Sequence, residues 1–121
     1  MEKVTMGNKA ERVFYHFDKI SRIPRESGNE TAVSDMIAAW AKDLGYPVIQ
    51  DEFNNLVITK PASPGYEDAD TVILQAHMDM VCEKTSESTH DFSKDPIITK
   101  VEGDWLVSAC GTTLGADNGI G

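Results

Sequence analysis

Thr71-Val72-Ile73-Leu74-Gln75-Ala76, followed without a break by His77-Met78-Asp79, is the stretch on which the reading of this chain turns. Three successive apolar β-formers at its centre suit a strand buried on both faces inside a sheet, and residues 71–76 are therefore expected to form the central strand. His77 and Asp79 then fall just past the end of that strand, and in α/β sheets ligand sites gather beyond the carboxyl ends of strands. In extended backbone, residues two apart project to the same side, so the imidazole and the carboxylate are neighbours. A carboxylate that accepts Nδ1–H fixes the tautomer and leaves Nε2 with a free lone pair, the form in which imidazole binds zinc. His-x-Asp alone is a weak signal: chance supplies it in roughly one chain in ten of this size, and an ordinary surface His beside an Asp looks the same.

Toward the amino terminus, residues 60–70 carry Pro61, Ser63, Pro64 and Gly65 and read as an exposed connection. Before it, residues 47–51 and 56–59 are short β-prone runs, and the Asn54-Asn55 pair between them suits the positive φ of a tight turn, so a hairpin is expected. Two helices precede the hairpin. In the first, residues 10–23, Val13, Phe14, Phe17 and Ile20 share a face and Pro24 ends the run. In the second, Ser27 and Glu30 have capping-box spacing, Val33, Met36, Ile37, Trp40 and Leu44 form the apolar stripe, and Gly45 suits the C-terminal cap. Aromatic and Met side chains at helical spacing are read as core.

Toward the carboxyl terminus, residues 83–96 are polar and irregular in pattern, and residues 97–102 and 105–108 flank Gly103-Asp104 as a second hairpin. The whole predicts an α/β fold, a mixed β-sheet with flanking helices, in a chain of 121 residues that suffices for one compact unit.

Twenty acidic residues against eleven Lys plus Arg give a net charge of −9, which repels a nucleic-acid backbone and an anionic membrane surface alike. Residues 1–10 lack the apolar core of a secretory signal and no later run approaches membrane-spanning length, so the expected location is cytoplasmic. Cys82 and Cys110 have no metal-ligand spacing and read as buried free thiols.

A second constellation is CGTTLGADNGIG at 110–121, where four glycines allow close backbone approach around Asp117. A phosphate cradle is disfavoured, because no P-loop Lys follows and Asp117 repels an anion. A carboxylate on such a turn suits a cation and can bridge two ions, although an Asx-turn or a helix N-cap made by Asp117 fits the same sequence equally well.

Taken together, LQAHMDMVCEK at 74–84 and GTTLGADNGIG at 111–121 resemble the metal-site segments of aminoacyl-histidine dipeptidases, within the zinc peptidase family that also holds tripeptidases and amino-acid deacylases. The resemblance extends to the helix around Trp40, the Asn54-Asn55 hairpin and HDFSKDPI at 90–97. It implies a zinc-exopeptidase-like catalytic domain that hydrolyses dipeptides, of the Xaa-His type, through a water activated between two zinc ions, with a small peptide as substrate. It also implies that His77 ligates one zinc, that Asp79 acts as the catalytic residue orienting it, and that Asp117 bridges both ions. A non-proline cis peptide at Asp117-Asn118 belongs to the same pattern. Tripeptidase-like members carry a second Asp where this chain has Asn118, and deacylases an Arg-containing run before the bridging Asp, so the dipeptidase fits better.

The family takes its general-base Glu and its remaining ligands from sequence beyond the bridging Asp. Residues 1–121 are therefore expected to be an incomplete, truncated amino-terminal part of the catalytic domain, inactive alone; for the complete enzyme the resemblance admits a homodimer and other divalent metals. His16, on the first helix, and His90, in a polar loop and read as solvated, are not assigned as ligands. The alternatives are a noncatalytic metal-binding or interaction module on the same scaffold, or a related tripeptidase or deacylase. Apolar residues 72–74 lacking a full sheet would also leave the isolated piece poorly stable.

Overall fold

The apolar spacing of the first run becomes helix α1, Glu11–Ser21, in a computed structural model that describes residues 10–121. The reading of residues 1–10 as free of a signal lies, except for Ala10, outside the described residues. Phe17 and Ser21 are the buried residues of α1, and Ser21 O accepts the Ile97 amide at 2.9 Å, which docks the end of the helix on the later part of the chain. Asp18, one turn earlier, pairs with Arg22 at 2.8 Å and accepts the Thr99 hydroxyl at 3.3 Å.

Helix α2, Thr31–Asp43, ends as Gly45 predicts. With φ at 81°, Gly45 donates to Lys42 O at 2.8 Å and Tyr46 to Ala41 O at 3.0 Å, the paired bonds of a Schellman motif. Its start differs from the capping-box expectation. Neither Ser27 nor Glu30 caps the helix: Glu30 accepts the Gly28 amide at 2.6 Å, and the Ser27 hydroxyl is turned away toward Asp79. The buried face differs too. Val33, Ser34, Ala38 and Ala41 are buried, whereas Trp40 and Leu44 are 42% and 51% exposed. The buried line 34-38-41 is offset by one residue, about 100° around the helix, from the line 33-37-40-44. Ser34 sets that rotation by donating to Asn54 O and accepting Gln50 Nε2, both at 2.8 Å, which turns the small residues toward the first hairpin.

That hairpin, β1 (Val48–Gln50) with β2 (Leu56–Ile58), is antiparallel, and Asn54 alone takes the positive φ, 67°. The second, β3 (Thr99–Glu102) with β4 (Trp105–Ser108), is antiparallel around Gly103 at φ 60°. A short helical turn, α3 (Ala116–Gly119), follows and packs against α1. Helices and strands thus share one chain, as the α/β reading has it, with the strands of the described residues in two separate antiparallel pairs and two isolated bridges, Glu26 to Met80 parallel and Lys84 to Thr112 antiparallel. Phe17, Val33, Ala38, Ala41, Met80 and Ile97 form the apolar core.

Residues 71–76 do not form the expected central strand. No ladder pairs with them among the described residues, and Val72, Ile73 and Leu74 are 80%, 86% and 92% exposed. A run of β-formers becomes a strand only when another backbone takes up its N–H and C=O groups, and both hairpins here are closed on themselves. Among the described residues, no helix is long and apolar enough to cross a membrane.

Candidate functional site

Two backbone pairings carry the chemistry-bearing segments to one place. The Met80 amide donates to Arg25 O at 3.0 Å, laying residues 77–80 beside the segment that follows α1. On the other side Thr85 donates to Gly111 O at 2.9 Å and Thr113 to Glu83 O at 2.8 Å, while the Thr113 hydroxyl reaches Val81 O at 2.7 Å. Residues 111–113 therefore run along 81–85. At Gly115 the backbone enters the left-handed region, φ 70°, and turns the α3 residues back toward His77. The Asn118 side chain completes the link by accepting the His77 amide at 3.3 Å.

The His77 ring is held from both ends. Nδ1 lies 2.9 Å from Asp79 Oδ1 and 3.0 Å from Asp79 O. Both neighbours are acceptors, so Nδ1 carries a proton, and Nε2 is the nitrogen left to offer a lone pair to a metal ion. Asp79 is oriented in turn: its other oxygen, Oδ2, accepts a short hydrogen bond from the Ser27 hydroxyl. That bond and, less strongly, His77 hold the Asp79 carboxyl below the usual carboxylate range, against the opposing effect of burial. On the far side of the ring, Nε2 stands 3.4 Å from Asp117 Oδ2.

His77, Asp79 and Asp117, the three residues singled out by sequence, are thus brought together. Asp117 caps nothing; it lies inside the helical turn, whose N-cap is Gly115. The Asp117-Asn118 peptide is trans, contrary to the cis bond that the resemblance implies, as the helical turn Ala116–Gly119 requires.

An imidazole nitrogen facing a carboxylate oxygen suits a cation, either a proton on the ring or a metal ion between the two. Two donors on a tetrahedral ion at about 2.1 Å are about 3.4 Å apart, so the spacing of Nε2 and Oδ2 fits zinc. The fit is partial, because no cluster of three or more His, Cys, Asp or Glu that could hold a metal occurs among the described residues. The two side chains are 47% and 66% exposed, leaving the open face accessible.

His16 and His90 stay outside this group. His16 is half-buried, its ring centroid 5.0 Å from that of Trp40, and burial with Lys19 and Arg12 draws its pKa down. His90 corrects the solvated reading: it is 7% exposed, edge-on to Phe92 at 4.8 Å between ring centroids, because Lys84 folds over the loop to donate to His90 O at 2.7 Å. Cys82 and Cys110 are free and half-buried.

Two residues here escaped the sequence reading. Ser27 has the spacing of a helix cap, and nothing local tells that Asp79 takes its hydroxyl instead. Arg25 stands in a polar stretch after Pro24 with no periodic signal, yet it is only 1% exposed. Its Nη1 donates to Met78 O at 3.0 Å and Asp79 O at 3.4 Å, and its Nη2 to Gly115 O at 2.9 Å.

No family model matches the chain. The cytosol non-specific dipeptidase of Escherichia coli (strain K12) is 50% identical over 105 residues, which are 87% of this chain and 21% of that protein. The crystal structure of aminoacylhistidine dipeptidase from Vibrio alginolyticus matches with a TM-score of 0.88 at 45% identity, over 93% of this chain and 23% of that one. The chain thus spans about a fifth of the length of these relatives. Half-identical sequence and a shared fold over nearly all of its residues make this chain similar to the corresponding fifth of these dipeptidases.

Proposed function

We propose that the chain supplies the first part of a two-zinc site for hydrolysing small peptides, of the Xaa-His dipeptide class, with His77 and Asp117 as metal ligands. The observation that carries this is the 3.4 Å approach of His77 Nε2 to Asp117 Oδ2, across a ring whose other nitrogen is already occupied by Asp79. The names of both relatives, a non-specific dipeptidase and an aminoacylhistidine dipeptidase, support peptide hydrolysis. The curated relative's description as a cytosol enzyme supports a cytoplasmic location.

Zinc, when bound, polarises a carbonyl oxygen and lowers the pKa of a coordinated water. The residues of this chain prepare for that. Asp79 keeps the proton on Nδ1 and the ring in one orientation; Ser27 engages Oδ2 so that Oδ1 stays on the imidazole; Asn118 ties the turn carrying Asp117 to the backbone of His77. Further ligands and a general base are needed to close the site, since a zinc centre takes three or four protein ligands. On this reading they come from the length that the relatives have and this chain does not span, and the 121 residues alone bind zinc weakly and do not turn over.

Zinc titration of the protein, followed in histidine ¹⁵N spectra, together with an assay on an Xaa-His dipeptide, tests the reading. A saturable shift of His77 Nε2, absent in Asp117→Ala and without hydrolysis, is the expected result. Zinc binding that leaves His77 untouched would refute the ligand assignment. Tight stoichiometric zinc lost in Asp117→Ala would instead favour a noncatalytic metal-binding module, and zinc-dependent turnover by residues 1–121 would refute the claim of inactivity.

A further inference from the structure

Among the described residues Arg25 is the largest fully buried side chain, and its three hydrogen bonds there run to backbone carbonyls on the two segments that carry His77 and Asp117. One arm of the fork grips Met78 and Asp79, the other Gly115, 90 residues away in sequence. Both glycines of the turn make room for it. A Cβ on Gly115 would meet Arg25 Nη2 at 2.5 Å, and one on Gly119 would meet it at 3.3 Å and Phe17 Cε2 at 2.9 Å. The guanidinium is therefore wedged between the end of the His-x-Asp segment and the backbone of α3. Its own main chain is pinned as well, because Arg25 O accepts the Met80 amide.

Among the described residues no carboxylate touches the guanidinium; burial draws its pKa down, against the opposing effects of Asp117, Cys82 and Asp79. Burying a cation without a contacting anion is costly, and that cost is met only in part here, by three carbonyls on the Nη atoms and the nearby acidic groups, while the buried Nε has no hydrogen-bond partner among the described residues. An arrangement so demanding of its neighbours fixes their relative placement. A planar fork holds two backbone segments at a fixed spacing, which the rotatable donors of a single ammonium do not impose.

We propose that Arg25 is a positioning residue of the metal site: its guanidinium sets the spacing between His77 and Asp117 by bracing residues 78–79 against Gly115. The proposal rests on the reading of His77 and Asp117 as ligands, but its structural half can be tested without metal.

Arg25→Lys keeps the charge and loses the fork; Arg25→Ala leaves a space that added guanidinium ion can enter. In the metal-free protein, both variants are expected to shift the amide resonances of Met78, Asp79, Gly115 and Asp117 together, while α2 and the β1–β2 hairpin keep theirs. Zinc affinity at His77, read from its ¹⁵N shift, is expected to fall about tenfold or more, the size seen when an outer-shell partner of a metal ligand is lost. Low millimolar guanidinium restores Arg25→Ala, and methylammonium at equal ionic strength does not. Wild-type zinc affinity in both variants, or failure of guanidinium to restore it, would overturn the proposal. So would global unfolding of both, seen as lost dispersion of the α2 and hairpin amides, since Arg25 would then support the whole fold rather than one spacing. If the unsubstituted protein shows no zinc at His77, the functional reading fails, and the concerted amide shifts alone decide the role of Arg25.

Discussion

The Ser27 hydroxyl donates to Oδ2 of Asp79 across 52 residues of sequence, while the other oxygen of the same carboxylate holds Nδ1 of His77 at 2.9 Å. Ser27→Ala removes the first of these bonds and frees the carboxylate to rotate away from the imidazole. Loss of such an outer partner weakens metal binding by about 10- to 100-fold, and that range is expected for zinc at His77. Ser27→Thr, which keeps the hydroxyl, should restore most of it. Equal zinc affinity in Ser27→Ala and the unsubstituted protein would show that Asp79 needs no help from Ser27.

Gly115 combines a φ of 70° with a Cβ position 2.5 Å from Arg25 Nη2 and 2.9 Å from Met80 Cβ. Gly65 has a φ of 87° and open space around it. Gly65→Ala should cost about 1 kcal/mol through backbone strain alone, and Gly115→Ala about 1–3 kcal/mol more through crowding in a packed site. Urea unfolding of the two variants measures the order. If they are equally destabilised, the close approach at Gly115 carries no energy.

Asp91 accepts the Ser93 hydroxyl at 2.6 Å and its amide at 3.0 Å, with Lys94 at 3.3 Å. Chiefly through Ser93, its pKa falls from 3.8 to about 2. Since the unfolded chain binds more protons between those values, the contribution of Asp91 to stability is complete above pH 3.8 and is lost as pH falls toward about 2. Carboxyl ¹³C titration should find the midpoint near 2 and move it upward in Ser93→Ala. A midpoint at 3.8 in the unsubstituted protein would contradict the hydrogen-bonded loop.

Val72, Ile73 and Leu74 present an apolar, unpaired strand-like edge, 80%, 86% and 92% exposed. Exposed backbone of this kind pairs with other chains, and apolar side chains reinforce the pairing. Residues 1–121 are therefore expected to self-associate with rising concentration, and Ile73→Lys to suppress it. Sedimentation velocity checks both. A monomer that unfolds in one cooperative thermal step at every concentration would count against this prediction.

What the amino-acid sequence determined by itself is what depends on neighbours along the chain. Apolar spacing marks α1 and α2, Gly45 ends α2, and Asn54 and Gly103 place the two turns, because allowed φ and helical periodicity act within a few residues. The pairing of His77 with Asp79 is of the same kind. The tertiary structure decided everything that joins distant segments: the approach of His77 to Asp117, the turn of Ser27 from a helix cap to Asp79, the burial of Arg25, and the offset of the buried face of α2. It also decided against the central strand, since residues 71–76 have the side chains of a buried strand but no partner among the described residues. Propensity is a property of a side chain and its backbone, whereas burial and hydrogen bonding depend on which other segment arrives, and that is settled only when the whole chain packs.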